Sequence, residues 1–179
     1  VYELSQDNRV VTAGVPSSVQ CPDATGTTCY TQVDARIRGV ELEGKAGVTD
    51  NLSVIGSYTY MDSEITGGGS LTEAKGAAIP QVAKHMSSLW ANYAFTTGYL
   101  DGLSVGLGAR YVGGSYGIAN AAGSADNRYL QTDAYTTYDA AVRYNLKSLG
   151  YSGAEFAINA SNLTDRLYVT TCTSLNACY

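Results

Sequence analysis

The chain has 179 residues, a formal charge of −5, 15 % charged residues, 20 Gly and 15 Tyr, but 2 Phe and 1 Trp. The negative balance leaves a nucleic-acid partner without electrostatic support, and no run nears the ~18 apolar residues of a membrane-spanning helix. Charge below the roughly 25 % of average soluble chains, with abundant Tyr, Gly, Ser and Thr, points to turn-rich β-structure or to a surface that does not face water alone.

In chain order, period-two alternation sets about seven strands near residues 1–11, 31–48, 52–65, 82–96, 103–114, 134–146 and 154–168. The opening Val1-Tyr2-Glu3-Leu4 reads as the middle of a strand. In RGVELEGKAGV, Val40, Leu42, Ala46 and Val48 alternate with Glu41, Glu43 and Lys45. In LSVGLGARYVGG, Leu103, Val105, Leu107, Ala109 and Tyr111 alternate with Ser104, Gly106, Gly108 and Arg110. The window AYTTYDAAVRYNL sets Tyr138, Ala140, Val142 and Tyr144 against Thr137, Asp139, Ala141 and Arg143. Charges stay off the apolar face, as lipid contact requires, because Arg or Lys at mid-depth on that face costs about 2–4 kcal/mol.

The connections alternate in length. Those at 49–51, 97–102 and 147–153 are short, whereas 12–30, 66–81 and 115–133 are long and rich in Gly, Ser, Ala and Asn. Short turns on one rim and long loops on the other are the pattern of a transmembrane β-barrel. Tyr58, Tyr60, Tyr93, Tyr99, Tyr111, Tyr135 and Tyr144 lie toward strand ends, which suits aromatic girdles at the two interfaces. The competing reading is a soluble sandwich with a tyrosine-rich core. Single-chain bacterial barrels have even strand counts, so the expectation is an all-β, antiparallel transmembrane β-barrel of which this chain supplies only a part.

The four cysteines form two local pairs, Cys21/Cys29 and Cys172/Cys178. In an oxidising compartment these read as two short disulfide-closed loops. A zinc site is the competing reading, and no CxxC or paired histidine accompanies it.

Several stretches together resemble one family. RGVELEGKAGVTDNLSVIGSYTYMDSEI is similar to the RGxExE strand, turn and tyrosine-rich return strand of TonB-dependent siderophore receptors. IPQVAKHMSSLWANYAF resembles their Pro–His–LW–Tyr strand, and LGARYVGGSYG their G-x-RY-x-G strand end. NASNLTDRLYVTTCTSLNACY is similar to the N-x-x-NL-x-D-x-x-Y motif and the clasped loop of ferric hydroxamate-type receptors. The resemblance implies a 22-stranded outer-membrane barrel, of which residues 1–179 would form strands 15 to 21, with the N-terminal plug and the final strand elsewhere. It implies a ferric siderophore as cargo, carried without protein ligands to iron and hence without a cofactor. The partners it implies are TonB, acting through the plug, and outer-membrane lipid or lipopolysaccharide.

Inward parity falls on Glu41, Glu43, Lys45, Arg110, Asp139, Arg143, Glu155 and Asn159, and Trp90 shares the parity of Ser88 and Asn92. These residues are expected to face the lumen and the plug, and the plain alternative is that they wet the lumen and pair with one another. Ligand contact is expected from Tyr116, Asn127, Tyr129 and Tyr135 around the 115–133 loop, and from Thr173 in the clasped loop. An enzyme reading rests on KHMSS, which puts His85 and Ser87 on one strand face, as in an outer-membrane phospholipase. That arrangement lacks an Asn of matching parity to orient the imidazole. A secreted soluble β-domain that binds carbohydrate is the remaining alternative.

Overall fold

A computed structural model describes residues 1–14, 28–68, 75–117, 130–151, 153–174 and 177–179. Seven strands lie side by side in chain order, each antiparallel to the next. They are β1 (Tyr2–Gly14), β2 (Thr28–Gly47), β3 (Leu52–Gly68), β4 (His85–Ala94), β5 (Leu103–Val112), β6 (Tyr135–Asn145) and β7 (Glu155–Ala160). A small hairpin of β8 (Cys172–Ser174) and β9 (Ala177–Cys178) follows. The sheet matches the expected strands closely except at the end of β7, which stops at Ala160 rather than running to 168. Asn162 and Asp165 take positive φ of 51° and 47°, and a tight turn there ends the ladder.

Register fixes the two faces. Directly opposed residues share a face in an antiparallel pair, so Leu42, Tyr58, Ser87, Tyr111 and Thr136 form one row across β2 to β6. The rows beneath it carry Val54, Ala91, Leu107 and Ala140, then Tyr93, Val105, Val142 and Ile158. Among the described residues nothing covers this face: Leu42, Leu89, Leu107 and Ile158 are 62, 55, 59 and 55 % exposed. A soluble sandwich would bury those side chains under a second sheet. The largest buried side chains are instead Ile65 and Val33, which cluster with Ala77 near the long-loop ends of β2 and β3.

The apolar face changes character along the strands. From Tyr111 down to Leu103, opposite Tyr144, is about 26 Å at roughly 3.3 Å per residue, on the scale of the ~25 Å apolar band of an outer-membrane wall. Above Tyr58 and Tyr60 the same face becomes ionic, with Arg38 donating to Glu3 at 2.5 Å, Arg36 paired with Glu64, and Lys84 3.0 Å from Asp62. Spanning needs about 9–11 residues, so β2 with 20 and β3 with 17 overshoot the band on the long-loop side. Residues 75–84 pack against that extension, with Ile65 N–H donating to Ala77 O and Gly76 N–H to Ile65 O at 2.9 and 2.8 Å.

The short-turn rim is closed by local bonds. Thr49 Oγ1 accepts from the Asn51 and Leu52 N–H groups, and Asn51 Nδ2 donates to Ala94 O at 2.6 Å, tying two turns together. The third turn starts where the Asn145 side chain caps Lys147 N–H at 3.0 Å and ends at Gly150, φ 90°.

Candidate functional site

Two regions carry the polar chemistry: the rim at the long loops and the polar face of the sheet. At the rim, the segment after β7 folds back on β6. The Asn162 carboxamide brackets a five-residue turn, accepting from Arg166 N–H at 3.0 Å and donating to Arg166 O at 3.1 Å. Asp139 Oδ1 accepts from Asn162 N–H at 2.9 Å, and Leu163 N–H donates to Tyr138 O at 2.8 Å, pinning the turn to β6. The chain emerges with Tyr168 stacked on Tyr135, ring centroids 4.0 Å apart and planes at 14°.

Beyond that stack, Cys172 and Cys178 form a disulfide that closes the β8–β9 hairpin. Thr170 and Tyr179 are bonded across the base of the hairpin, the Thr170 hydroxyl donating to Tyr179 O at 2.8 Å. The neck of the preceding loop abuts it: a Cβ placed on Gly117 would lie 2.8 Å from Cys172 O. The neck is itself locked by the buried pair Ser115 and Thr132, whose hydroxyls lie 3.1 Å apart. These pieces enclose a hollow of about 380 Å³ lined by Gln131, Asp133, Tyr135, Arg166, Tyr168 and the disulfide, among others.

Of the expected ligand residues, Tyr135 lines this hollow and Tyr116 does not. Tyr116 bridges Gln131 and accepts from Gln81 N–H at 2.7 Å, beside a separate hollow of about 270 Å³ that also touches Lys84 and His85. Asn127, Tyr129 and Cys21 lie outside the described residues; for Cys29, in β2, and Thr173, in β8, the described part is the backbone, so the Cys21–Cys29 pairing is not described. Tyr135 also departs from the expected girdle, because its register partner Val112 places it on the polar face.

On the polar face, Glu41, Glu43, Lys45, Trp90, Arg110, Asp139, Arg143, Glu155 and Asn159 all share one side by register. Trp90 lies flat across the neighbouring strand, for a Cβ on Gly106 or Gly108 would meet its ring at 2.3 or 2.4 Å. The two glycines of LSVGLGARY thus form a seat for the indole. Tyr2 similarly covers Gly39 of the RGV motif, where an added Cβ would meet its ring at 2.7 Å.

The family model described as TonB dependent receptor-like, beta-barrel, matches residues 1–163. The chain belongs to the TonB-dependent receptors. It is 44 % identical over 147 residues to the ferrichrome outer membrane transporter/phage receptor of Escherichia coli K12, covering 82 % of this chain and 18 % of that protein. It is 32 % identical over 181 residues to the ferrioxamine receptor of Yersinia enterocolitica, covering 100 % of this chain and 22 % of that one. The crystal structure of the ferric-catecholate import receptor Fiu of E. coli K12 superposes with a TM-score of 0.67 and 26 % identity, over 99 % of this chain and 22 % of Fiu. The chain therefore spans about a fifth of the length of the relatives it matches. As part of a TonB-dependent receptor barrel it resides in the outer membrane of a Gram-negative bacterium.

The His85–Ser87 pair of the enzyme reading lies in this receptor wall beside two tyrosines. Both lie on the outward face, but His85 Nδ1 is 2.9 Å from Tyr58 Oη and its ring packs 5.2 Å from that of Tyr60. The imidazole is held by tyrosines of the girdle. Sequence reasoning missed Tyr168 and Arg166 at the rim. The signal was present in NLTDRLY, since an Asn four residues before Arg166 can close a turn on its backbone.

Proposed function

We propose that residues 1–179 form the C-terminal portion, strands 15 to 21, of a 22-stranded receptor that imports a ferric siderophore, with TonB acting through an N-terminal plug. The observation that carries this reading is the rim hollow, where a rigid tyrosine stack is held beside a disulfide-clasped hairpin at the mouth of an outer-membrane wall. Stacked tyrosines offer apolar area with polar tips, which suits a chelate that is part hydrocarbon and part oxygen donor. The hydroxamate class is favoured by the clasped-loop resemblance and by the names of the ferrichrome and ferrioxamine relatives. The siderophore fills the coordination sphere of iron, so protein side chains grip the carrier. The polar-face residues from Glu41 to Asn159 wet the lumen and meet the plug, while the outward face meets lipid and lipopolysaccharide. A secreted soluble domain is disfavoured by the bare apolar face.

The test is binding and uptake of radiolabelled ferric hydroxamates by the full-length receptor in an iron-starved strain that lacks its other receptors. Tyr168→Ala is expected to weaken binding severalfold, because it removes one aromatic wall of the hollow and releases Tyr135 from its stack. Uptake of a catecholate with no hydroxamate binding would overturn the ligand class. Full binding by Tyr135→Ala and Tyr168→Ala together would remove the hollow from the ligand site.

A further inference from the structure

The turn after β7 makes more bonds than ending a strand requires. Asn162 takes φ 51°, a conformation that Asn tolerates better than most residues. Its N–H donates to Asp139 Oδ1 at 2.9 Å, which ties the turn to β6. Its carbonyl accepts from Asp165 N–H at 2.9 Å, which closes the turn. Those backbone bonds suffice to stop the ladder. The carboxamide nevertheless reaches four residues forward and makes two further bonds, both to the backbone of Arg166.

Arg166 opens the run Arg166, Leu167, Tyr168 and Val169, all of which line the rim hollow, whereas Asn162 lines no part of it. Among the described residues Leu167, Tyr168 and Val169 make no backbone hydrogen bond, and Leu167 is 89 % exposed. The run is therefore a strap held by its two ends. The far end is fixed at the base of the clasped hairpin, where the Thr170 hydroxyl donates to Tyr179 O at 2.8 Å. The near end is fixed by the Asn162 carboxamide. Between them Tyr168 lies on Tyr135 with centroids 4.0 Å apart, a contact that tolerates little drift of the strap. Anchoring such a segment in its binding conformation spares a ligand the cost of ordering it, and the saving is read as affinity.

We propose that Asn162 is a positioning residue for siderophore binding: its carboxamide sets the near end of the strap and so holds Tyr168 in the hollow, without touching the ligand. The proposal rests on the reading of the rim hollow as the siderophore site. Glycine keeps the positive φ accessible and removes both carboxamide bonds, so Asn162→Gly separates the side chain from the backbone turn. Aspartate keeps an acceptor for Arg166 N–H and loses the donor to Arg166 O, so Asn162→Asp is the conservative variant.

The experiment is a double-mutant cycle in the full-length receptor, read by equilibrium binding and by saturating uptake of radiolabelled ferrichrome and, in parallel, ferrioxamine B. Asn162→Gly is expected to weaken binding about two- to fivefold, the scale of one net hydrogen bond, and by no more than Tyr168→Ala does. The saturating uptake rate and the urea midpoint are expected to stay at the parent values, and Asn162→Asp is expected to recover part of the affinity. With Tyr168→Ala in place, Asn162→Gly is expected to have no further effect, because residues that act through one another are not additive. If the glycine variant does not assemble, Asn162→Asp carries the same cycle with a smaller loss. An unchanged affinity, a full further loss on top of Tyr168→Ala, or a fall in saturating uptake with affinity intact would overturn the positioning role. Weaker binding by Tyr168→Ala alongside such a failure would leave the rim hollow standing as the site. Full binding by Tyr168→Ala, or binding of neither hydroxamate by the parent, would overturn both.

Discussion

The two faces of the sheet are made by the same strands and obey different rules. On the outward face one variable, depth, decides the chemistry: Leu107 and Ala140 at mid-height, Tyr58 and Tyr111 above them, and the Arg38–Glu3 and Lys84–Asp62 pairs above those. On the inward face depth decides little and neighbours decide almost everything. Trp90 lies where it does because Gly106 and Gly108 stand beside it, and Asp139 is engaged because Asn162 turns over it. A solvent gradient shapes one face, and packing shapes the other.

The comparison breaks most readily by moving one charge between the faces. In the full-length receptor, Leu107→Arg puts a guanidinium at mid-depth on the lipid side and is expected to cost about 2–4 kcal/mol of folding free energy. Ser57→Arg puts the same group on the inward face, opposite Glu43, at the loss of a 2.7 Å hydroxyl contact with Ser88. That change is expected to stay within about 1 kcal/mol, the range of exposed ion pairs. Urea titration of the receptor refolded into vesicles, read by its heat-modifiable gel mobility, separates the two. Equal costs would mean that the faces are not solvated differently.

What the sequence made legible follows the same division. Strand positions, alternating loop lengths and the shared side of Glu41 through Asn159 come from period-two patterning, a local property, and the register reproduces them. The end of β7 was misread because LTDRLY still looks like a strand, while the turn depends on Asn162 bonding the backbone of Arg166. The Tyr135–Tyr168 stack joins residues 33 positions apart, and no local pattern encodes such a contact. Tyr116 and Tyr135 flank one loop in the sequence yet line different hollows. The Trp90 seat is an intermediate case. Its tryptophan and glycines are plain in the sequence, but only the register that sets Trp90 opposite Gly108 shows that they belong together.

A smaller perturbation sharpens the contrast with one methyl group. Gly108→Ala places a Cβ about 2.4 Å from the Trp90 ring, which must leave its seat. Overpacking of that kind typically costs about 1–3 kcal/mol. Gly44→Ala, on the outward face, meets nothing within 4 Å. Replacing a mid-strand glycine there is expected to stabilise by roughly 0.5–1 kcal/mol. The same chemical change should therefore have opposite signs on the two faces, measured by the same urea titration. A destabilised Gly44→Ala would show that lipid-side packing is as exacting as the inward seat.

The smallest effect lies at the upper border of the outward face, where lipid gives way to water. The Lys84 ammonium has its pKa raised above 10.5, chiefly by its hydrogen bond to Asp62, while burial, the next largest effect, lowers it and the Asp62 charge raises it further. A cation favoured in the folded state adds stability that is fully present below its unfolded pKa and is lost as pH rises through the higher folded value. Both partners are 55 % exposed, so the contribution is expected to stay below about 1 kcal/mol and to shrink in high salt. Asp62→Asn should therefore be slightly less stable than the parent receptor near neutral pH, and the difference should close as the pH passes well above 10.5. A gap that persists at that pH would trace to another loss, such as packing of Lys84 over the Tyr60 ring, 5.6 Å from its centroid. In that case the border would be set by aromatic contact, as in the girdle just below, rather than by charge.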